Sequence, residues 1–272
     1  LQNLAPGVYR LEGQRRDILA QAYEQKEGRM KDFVVGPSSN TERITFRLHP
    51  RGGIAGAVLD ENGEPVEYAD VALFRRTEDG NVRLSTQPPT PFARTDALGH
   101  FYFGYLESGS YLLAVKARPW YAEVCPVQVA NAGPCTRGGP ADVVYPITYS
   151  GSSTDETTAV SITVHEGVLA NTRVILRAVP AAYPQFALPM HGSQQTSPEI
   201  ELKASEFGTY TSGGLIYAPS AWTDDHLSIG GLAPGRYLVR LRNEPSCPGK
   251  TSIHVTGNQT FELNCKANAA QH

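Results

Sequence analysis

LQNLAPGVYRL at residues 1–11 returns as FGYLESGSYLL at 103–113 and as IGGLAPGRYLV at 229–239, each carrying the pattern LxxGxY. The shared glycines are Gly7, Gly109 and Gly235, and the shared tyrosines are Tyr9, Tyr111 and Tyr237. Glycine separations of 102 and 126 residues are the size of a domain and far exceed a solenoid period. Beyond each turn the side chains alternate. Tyr111, Leu113 and Val115 oppose Leu112, Ala114 and Lys116, and Tyr237, Val239 and Leu241 oppose Leu238, Arg240 and Arg242. A period of two is a strand. Pro6-Gly7 and Pro234-Gly235 suit the tight turn that feeds it, because proline fixes φ and glycine tolerates positive φ. The tyrosine is expected to close one end of a β-sandwich core.

A second repeated element follows the first: FVVGPSSNTERITFRL at 33–48, ITVHEGVLANTRVILRA at 162–178 and IHVTGNQTFELNC at 253–265. Two β-rich runs flank a glycine-containing turn in each, which predicts half-buried hairpins. Between the landmarks, GIAGAVLDENGEPVEYADVALFRR at 53–76 predicts a strand, a turn over Asp60–Gly63 with its Asn-Gly signal, and a second strand from Ala69. TDALGHFYFGYL at 95–106 adds a turn at Leu98-Gly99 and a strand through Phe101 and Phe103. Residues 16–27 (RDILAQAYEQKE) have the pattern of a short amphipathic helix. The overall expectation is an all-β chain of tandem immunoglobulin-like or prealbumin-like sandwiches.

Composition narrows the function classes. In 272 residues, 40% hydrophobic and 19% charged content is enough to build cores, and 26 glycines with 20 prolines imply frequent turns. No apolar run approaches the roughly 18–20 residues of a membrane-spanning helix. A net charge of −3 gives no footprint for nucleic acid or an anionic membrane. Four cysteines fall in two local couples, Cys125 with Cys135 and Cys247 with Cys265, without metal-finger spacing. Disulfides are the better reading, with free buried thiols as the alternative, and they place the protein in an oxidising compartment. A bridge from Cys247 to Cys265 would contribute about 3 kcal/mol in the chain-entropy model. The chain begins at Leu1 without a signal-type segment and reads as processed or incomplete there.

The middle unit resembles the carboxypeptidase regulatory-like domain, a prealbumin-like β-sandwich. The likeness is carried by GAVLDENGEPVEYADVAL at 56–73 and TDALGHFYFGYLESGSYLLAV at 95–115. VVYPITYSGSSTDETTAVSITVHEGVLANTRVILRAVP, at 143–180, looks like the tail that follows such a domain in exported bacterial arrays. The resemblance implies binding or spacer modules rather than catalysis. The expected organisation is the C-terminal half of a sandwich over 1–50, a regulatory-like sandwich with a long tail over 51–180, and a divergent sandwich over 181–272. The half-sandwich needs its apolar face covered, either by upstream residues or by strands from a neighbouring chain.

No catalytic constellation emerges. The seven histidines form no HExxH or HxH, His165-Glu166 lacks a second histidine one turn later, and GxSxG, GxGxxG and phosphate-loop patterns are absent. SGSSTDETT at 150–158 reads as a solvated loop. Asp60, Glu61, Asn62 and Glu64 offer hard oxygen ligands, but without calcium-loop spacing they read as a hairpin turn. No enzyme, metal or cofactor is expected. Trp120, Tyr121, Tyr210, Tyr217 and Trp222 are the candidate binding or interface aromatics. Stacking on sugar rings beside Asp224, Asp225 and His226 is weighed against packing over the sandwich or at a subunit contact, and packing is favoured.

The resulting expectation is a non-enzymatic exported structural protein of the cell surface or extracellular space, with the periplasm as a further oxidising destination. It would self-associate through strand edges or end-to-end contacts, with filament formation as the sharper version. A carbohydrate-binding or adhesive module of a larger exported protein is the alternative from another class. A periplasmic extension of an outer-membrane transporter is weaker, since no barrel-like strand series follows.

Overall fold

The computed structural model describes residues 4–15, 18–22, 32–36, 50–86, 90–123, 137–187, 199–208, 215–216, 220–223, 226–242 and 250–263. Four strands come first: β1 (Gly7–Tyr9), β2 (Glu12–Arg15), β3 (Ile18–Ala22) and β4 (Phe33–Val35). The middle group comprises β5 (Gly52–Leu59), β6 (Asp70–Arg76), β7 (Val82–Leu84), β8 (Phe92–Arg94), β9 (His100–Leu106), β10 (Gly109–Lys116), β11 (Val143–Val144), β12 (Thr148–Tyr149), β13 (Ile162–Val164), β14 (Leu169–Ile175) and β15 (Val179–Pro180). The last group is β16 (Gln185–Ala187), β17 (Glu199–Ala204), β18 (Leu215–Ile216), β19 (Ser220–Thr223), β20 (His226–Ile229), β21 (Gly235–Arg242), β22 (Lys250–Val255) and β23 (Thr260–Glu262). The fold is all-β; a single 3-10 turn at Glu156–Thr158 is the one helical element among the described residues. No helix among them is long and apolar enough to cross a membrane.

Two sandwiches share one wiring. In the middle group, the sheet β14-β5-β9 packs on a six-stranded sheet, β12-β10-β6-β7 with β13 on β10 and β8 on β6. Ile54, Val58, Phe101, Phe103, Tyr111 and Leu113 fill the space between them. In the last group, β19-β20-β16-β23 packs on β18-β17-β21-β22 around Phe186, Leu202, Leu227, Tyr237 and Val239. β5 takes β9 antiparallel and β14 parallel, and β16 likewise takes β20 antiparallel and β23 parallel. The front half of the last sandwich, hard to read from sequence, is supplied by β16 and β17.

The landmark keeps the same register in all three places. Gly7 faces Val35, Gly109 faces Val164 and Gly235 faces Val255; Tyr9, Tyr111 and Tyr237 face Phe33, Ile162 and Ile253. Register fixes which face each side chain takes, so the first ladder presents its tyrosine as the complete sandwiches do.

Three sequence readings are corrected. The elements at 162–178 and 253–265 are not hairpins. β13 and β22 join one sheet while β14 and β23 cross to the other, so each segment arches over the core edge. The crossing brings Val164 and Val174 into one core from opposite sheets, which a hairpin lying within one sheet would not do. The tail at 143–180 thus supplies β11–β15, of which β12, β13 and β14 join the sheets of the middle sandwich. Residues 18–22, within the predicted helix, form a strand that pairs with β2, Glu12 facing Ala22 and Arg15 facing Ile18; tertiary pairing overrides a weak helical period.

The turns are built by aspartate. Asp60 Oδ1 accepts from the N–H of Asn62 and Glu64 at 2.9 and 2.8 Å, and Asp96 Oδ1 accepts from Leu98 and His100 at 2.9 and 2.8 Å. Each DxxG turn closes on a left-handed glycine, Gly63 (φ 84°) and Gly99 (φ 72°). At Gly99 a Cβ would also stand 2.5 Å from the Val58 carbonyl oxygen. Gly99→Ala should therefore destabilise the middle sandwich by about 1–3 kcal/mol, read as a shifted urea midpoint with unchanged slope, whereas Gly63→Ala, with open space around it, should cost less.

Candidate functional site

Each landmark tyrosine donates its hydroxyl to the backbone carbonyl four residues earlier. Tyr9 reaches Ala5 at 2.8 Å, Tyr111 reaches Glu107 at 2.9 Å and Tyr237 reaches Ala233 at 2.5 Å. This pins the turn to the strand it feeds, as in a tyrosine corner. Around the second corner, Glu107 bridges Arg51 and Arg75, each at 2.8 Å. The tyrosine pair of the complete sandwiches is buried. Tyr237→Phe should cost about 1 kcal/mol, one neutral hydrogen bond, without changing the fold; chemical unfolding of the variant measures it.

The most built feature of the chain is the joint between the two sandwiches, which sequence reading did not find. Alternation sets Leu112 and Ala114 on the face opposite Tyr111, and both are fully buried, as is Phe74 on neighbouring β6. What covers them is the segment 145–159 together with a turn of the last sandwich. Phe207, at the end of that turn, stands edge-on to Phe74 with centroids 4.9 Å apart and lies 4.7 Å from the Tyr149 ring. Beside it, Glu206 has no solvent exposure and pairs with Lys116, the last residue of β10. The Tyr149 hydroxyl donates to the Ser205 carbonyl at 3.4 Å, and Arg236 lies 3.4 Å from Glu156. On the linker side, β11 pairs with β15, and Tyr183 donates to the Asp142 carboxylate while Arg137 lies over its ring. A cleft of about 280 Å³ runs along this joint, lined by Tyr149, Glu156, Ser205, Arg236 and His254 among others.

The serine-rich stretch is solvated over much of its length, with Gly151, Thr154, Asp155, Thr157 and Thr158 exposed, and it is tied to the same construction at Ser150 and Ser152. Ser150 is fully buried with its Oγ accepting from the Leu113 N–H at 3.3 Å, Ser152 Oγ accepts from the Ile175 N–H at 2.9 Å, and Asp155 caps the 3-10 turn through the Thr157 N–H. The signals available in sequence were the unbroken apolar runs VALF at 71–74 and YLLAV at 111–115, which mark strands buried on both faces, and the Glu206-Phe207-Gly208 turn, where Phe207 (φ 49°) and Gly208 (φ 72°) are both left-handed.

Of the remaining predicted positions, Trp120 and Tyr121 stand together. Trp120 is 83% exposed and stands edge-on to Tyr121, centroids 5.7 Å apart at 86°. The Tyr121 hydroxyl is donated to the Glu61 carboxylate, which raises its pKa to about 12. Trp222 lies on β19 facing Leu227. Cys125, Cys135, Cys247, Cys265, Tyr210 and Tyr217 lie outside the described residues. Asp60 and its neighbours form the turn described above, with Asp60 Oδ1 committed to backbone donors.

Burial raises the pKa values of Tyr149 and Tyr237 above the ordinary phenol range. These groups fold in the neutral form. Their contribution to stability is complete below the unfolded value near 10 and is lost as pH rises through the raised folded values. Unfolding midpoints should accordingly fall above about pH 10, together with a late rise of phenolate absorbance; a flat profile through about pH 12 would contradict this.

No protein-family model matches the chain. No curated protein matches it either. Among solved structures it is similar to a streptococcal ancillary pilin at 14% identity and a TM-score of 0.34, over 95% of this chain and 75% of that one. It is similar to the minor pilin of Streptococcus agalactiae at 14% identity and a TM-score of 0.30, over 78% and 93%. A shaft pilin from Lactobacillus rhamnosus GG is similar at 9% identity and a TM-score of 0.26, over 78% and 96%. TM-scores of this size assign no function or partner, and the regulatory-domain resemblance rests on its own residues alone.

Proposed function

We propose that the chain works mechanically, as a non-enzymatic structural component of an exported cell-surface or extracellular assembly. The units are a first ladder ending near residue 50, a sandwich to about residue 180, and a second sandwich beyond. The observation that carries this reading is the joint, where a fully buried Glu206 paired with Lys116, the Phe207 ring and the hydrogen bond from Tyr183 to Asp142 hold one sandwich against the sheet face of the next. Locked sandwiches keep their relative position under load, which is what a spacer or filament subunit needs. Two disulfides, Cys125–Cys135 and Cys247–Cys265, belong to this proposal; intact mass before and after reduction tests them.

Self-association is supported by the first ladder. At outward positions where the complete sandwiches carry Ser110 with Thr163 and Arg236 with His254, it carries Val8 and Val34, 68% and 74% exposed. This apolar pair is the surface offered to a neighbouring chain. Sedimentation velocity over a concentration series tests it: the native chain associates and the Val8→Lys/Val34→Lys variant stays monomeric. A native chain that remains monomeric throughout sinks the association. A second reading, a glycan-binding adhesive module, is favoured by one observation, the exposure of Trp120.

A further inference from the structure

The outward face of the sheet β14-β5-β9 is shaped as a groove. Its central strand β5 presents Gly53, Ala55 and Ala57, so the floor is almost bare of side chains. One wall is β9, where Tyr102 faces Ala55 and His100 faces Ala57; the other is β14, where Leu169 faces Gly53, Asn171 faces Ala55 and Arg173 faces Ala57. All five wall side chains are exposed. Two strand spacings give a width of roughly 10 Å, and the floor runs roughly 13 Å along β5.

Tyr102 is seated in this groove. A Cβ on Gly104 would stand 2.8 Å from its hydroxyl oxygen and 2.9 and 3.1 Å from two ring carbons, and one on Gly53 would stand 3.4 Å from the ring and 3.1 Å from Leu169 Cδ1. The ring therefore lies down over two glycines, while 61% of the residue remains exposed. Glycine inside a strand weakens it, so a pair of glycines that makes room for a ring held open to solvent points to a ligand-facing platform.

We propose that this groove binds a uronate-bearing polysaccharide, with the apolar face of a pyranose on Tyr102 and hydroxyl and carboxylate oxygens toward Asn171 and Arg173. The proposal rests on the glycan-binding reading above and moves its site from Trp120 to β9 and β14. Asn171 and Arg173 stand on the same face as Tyr102, and Arg173 supplies the charge complementary to a uronate. A peptide strand fits less well, since backbone groups at a sheet face are spent in the ladders, and strand addition needs a free edge. The carboxylate at the rim, Asp96, is engaged by backbone donors through Oδ1 and lies 3.9 Å from His100 through Oδ2.

Affinity electrophoresis of the full chain in gels containing polygalacturonate or neutral hydroxyethyl cellulose, each referred to a gel without polysaccharide, tests the site. The native chain should be retarded by polygalacturonate more than by the neutral polymer. Tyr102→Ala should weaken retardation about tenfold, as should Ala55→Gln, which fills the floor beside Tyr102, with thermal melting confirming that both fold. Trp120→Ala should behave as the native chain. Loss with Trp120→Ala but not Tyr102→Ala would overturn the groove and leave the module reading standing. Retardation only by the neutral polymer overturns the uronate assignment. No retardation of the native chain overturns the groove and the module reading together.

Discussion

Lys116→Met should destabilise the joint by about 3 kcal/mol. The side chain of Lys116 is 21% exposed and faces a Glu206 carboxylate with no exposure at all. Removing the cation leaves that carboxylate charge in a site from which water is excluded, and breaking one half of a buried pair costs more than the pair contributes. The double variant Lys116→Met/Glu206→Leu should recover most of the loss, because two apolar groups of similar size pay no desolvation cost there. A thermodynamic cycle by urea unfolding measures both. A loss in the double variant equal to the sum of the losses in Lys116→Met and Glu206→Leu alone would show that the two residues act independently.

Phe207→Ala should cost about 2 kcal/mol, below the roughly 3–5 kcal/mol of a fully buried phenylalanine, since Phe207 is only half-buried. Its consequence reaches further than its magnitude. The ring fills the space over Phe74 and beside Tyr149, so without it the two sandwiches lose the packing that couples their unfolding. A single calorimetric transition in the native chain should divide into two, while each sandwich keeps its own core. Phe207→Gly removes the ring and also relieves the left-handed backbone; if it restores a single transition, strain rather than packing governs the coupling.

The parts of the structure legible in sequence were those governed by local rules. The LxxGxY landmark predicted a turn and a strand, and all three copies share one register because the glycine and tyrosine act within a few residues of each other. The aspartate–glycine turns were readable for the same reason. The arches were misread as hairpins because two β-rich runs around Gly167 or Gly257 look alike whether the chain stays in one sheet or crosses to the other; the choice is made by partners distant in sequence, β5 for β14 and β16 for β23. The joint was invisible to alternation because β10 does not alternate: Tyr111 through Val115 are buried without a break. Its sister strand β21, with the same landmark, buries Tyr237, Val239 and Leu241 and leaves Arg236 and Arg240 in solvent. The contrast between YLLAV at 111–115 and YLVRL at 237–241 marks which sandwich carries another on its sheet.

Electron microscopy of the native material tests the mechanical account most directly. Sandwiches locked at the joint and chains joined through the first ladder predict continuous assemblies with an axial repeat close to the length of one chain. Dispersed single particles in which the two sandwiches take many relative orientations would contradict both the lock and the assembly.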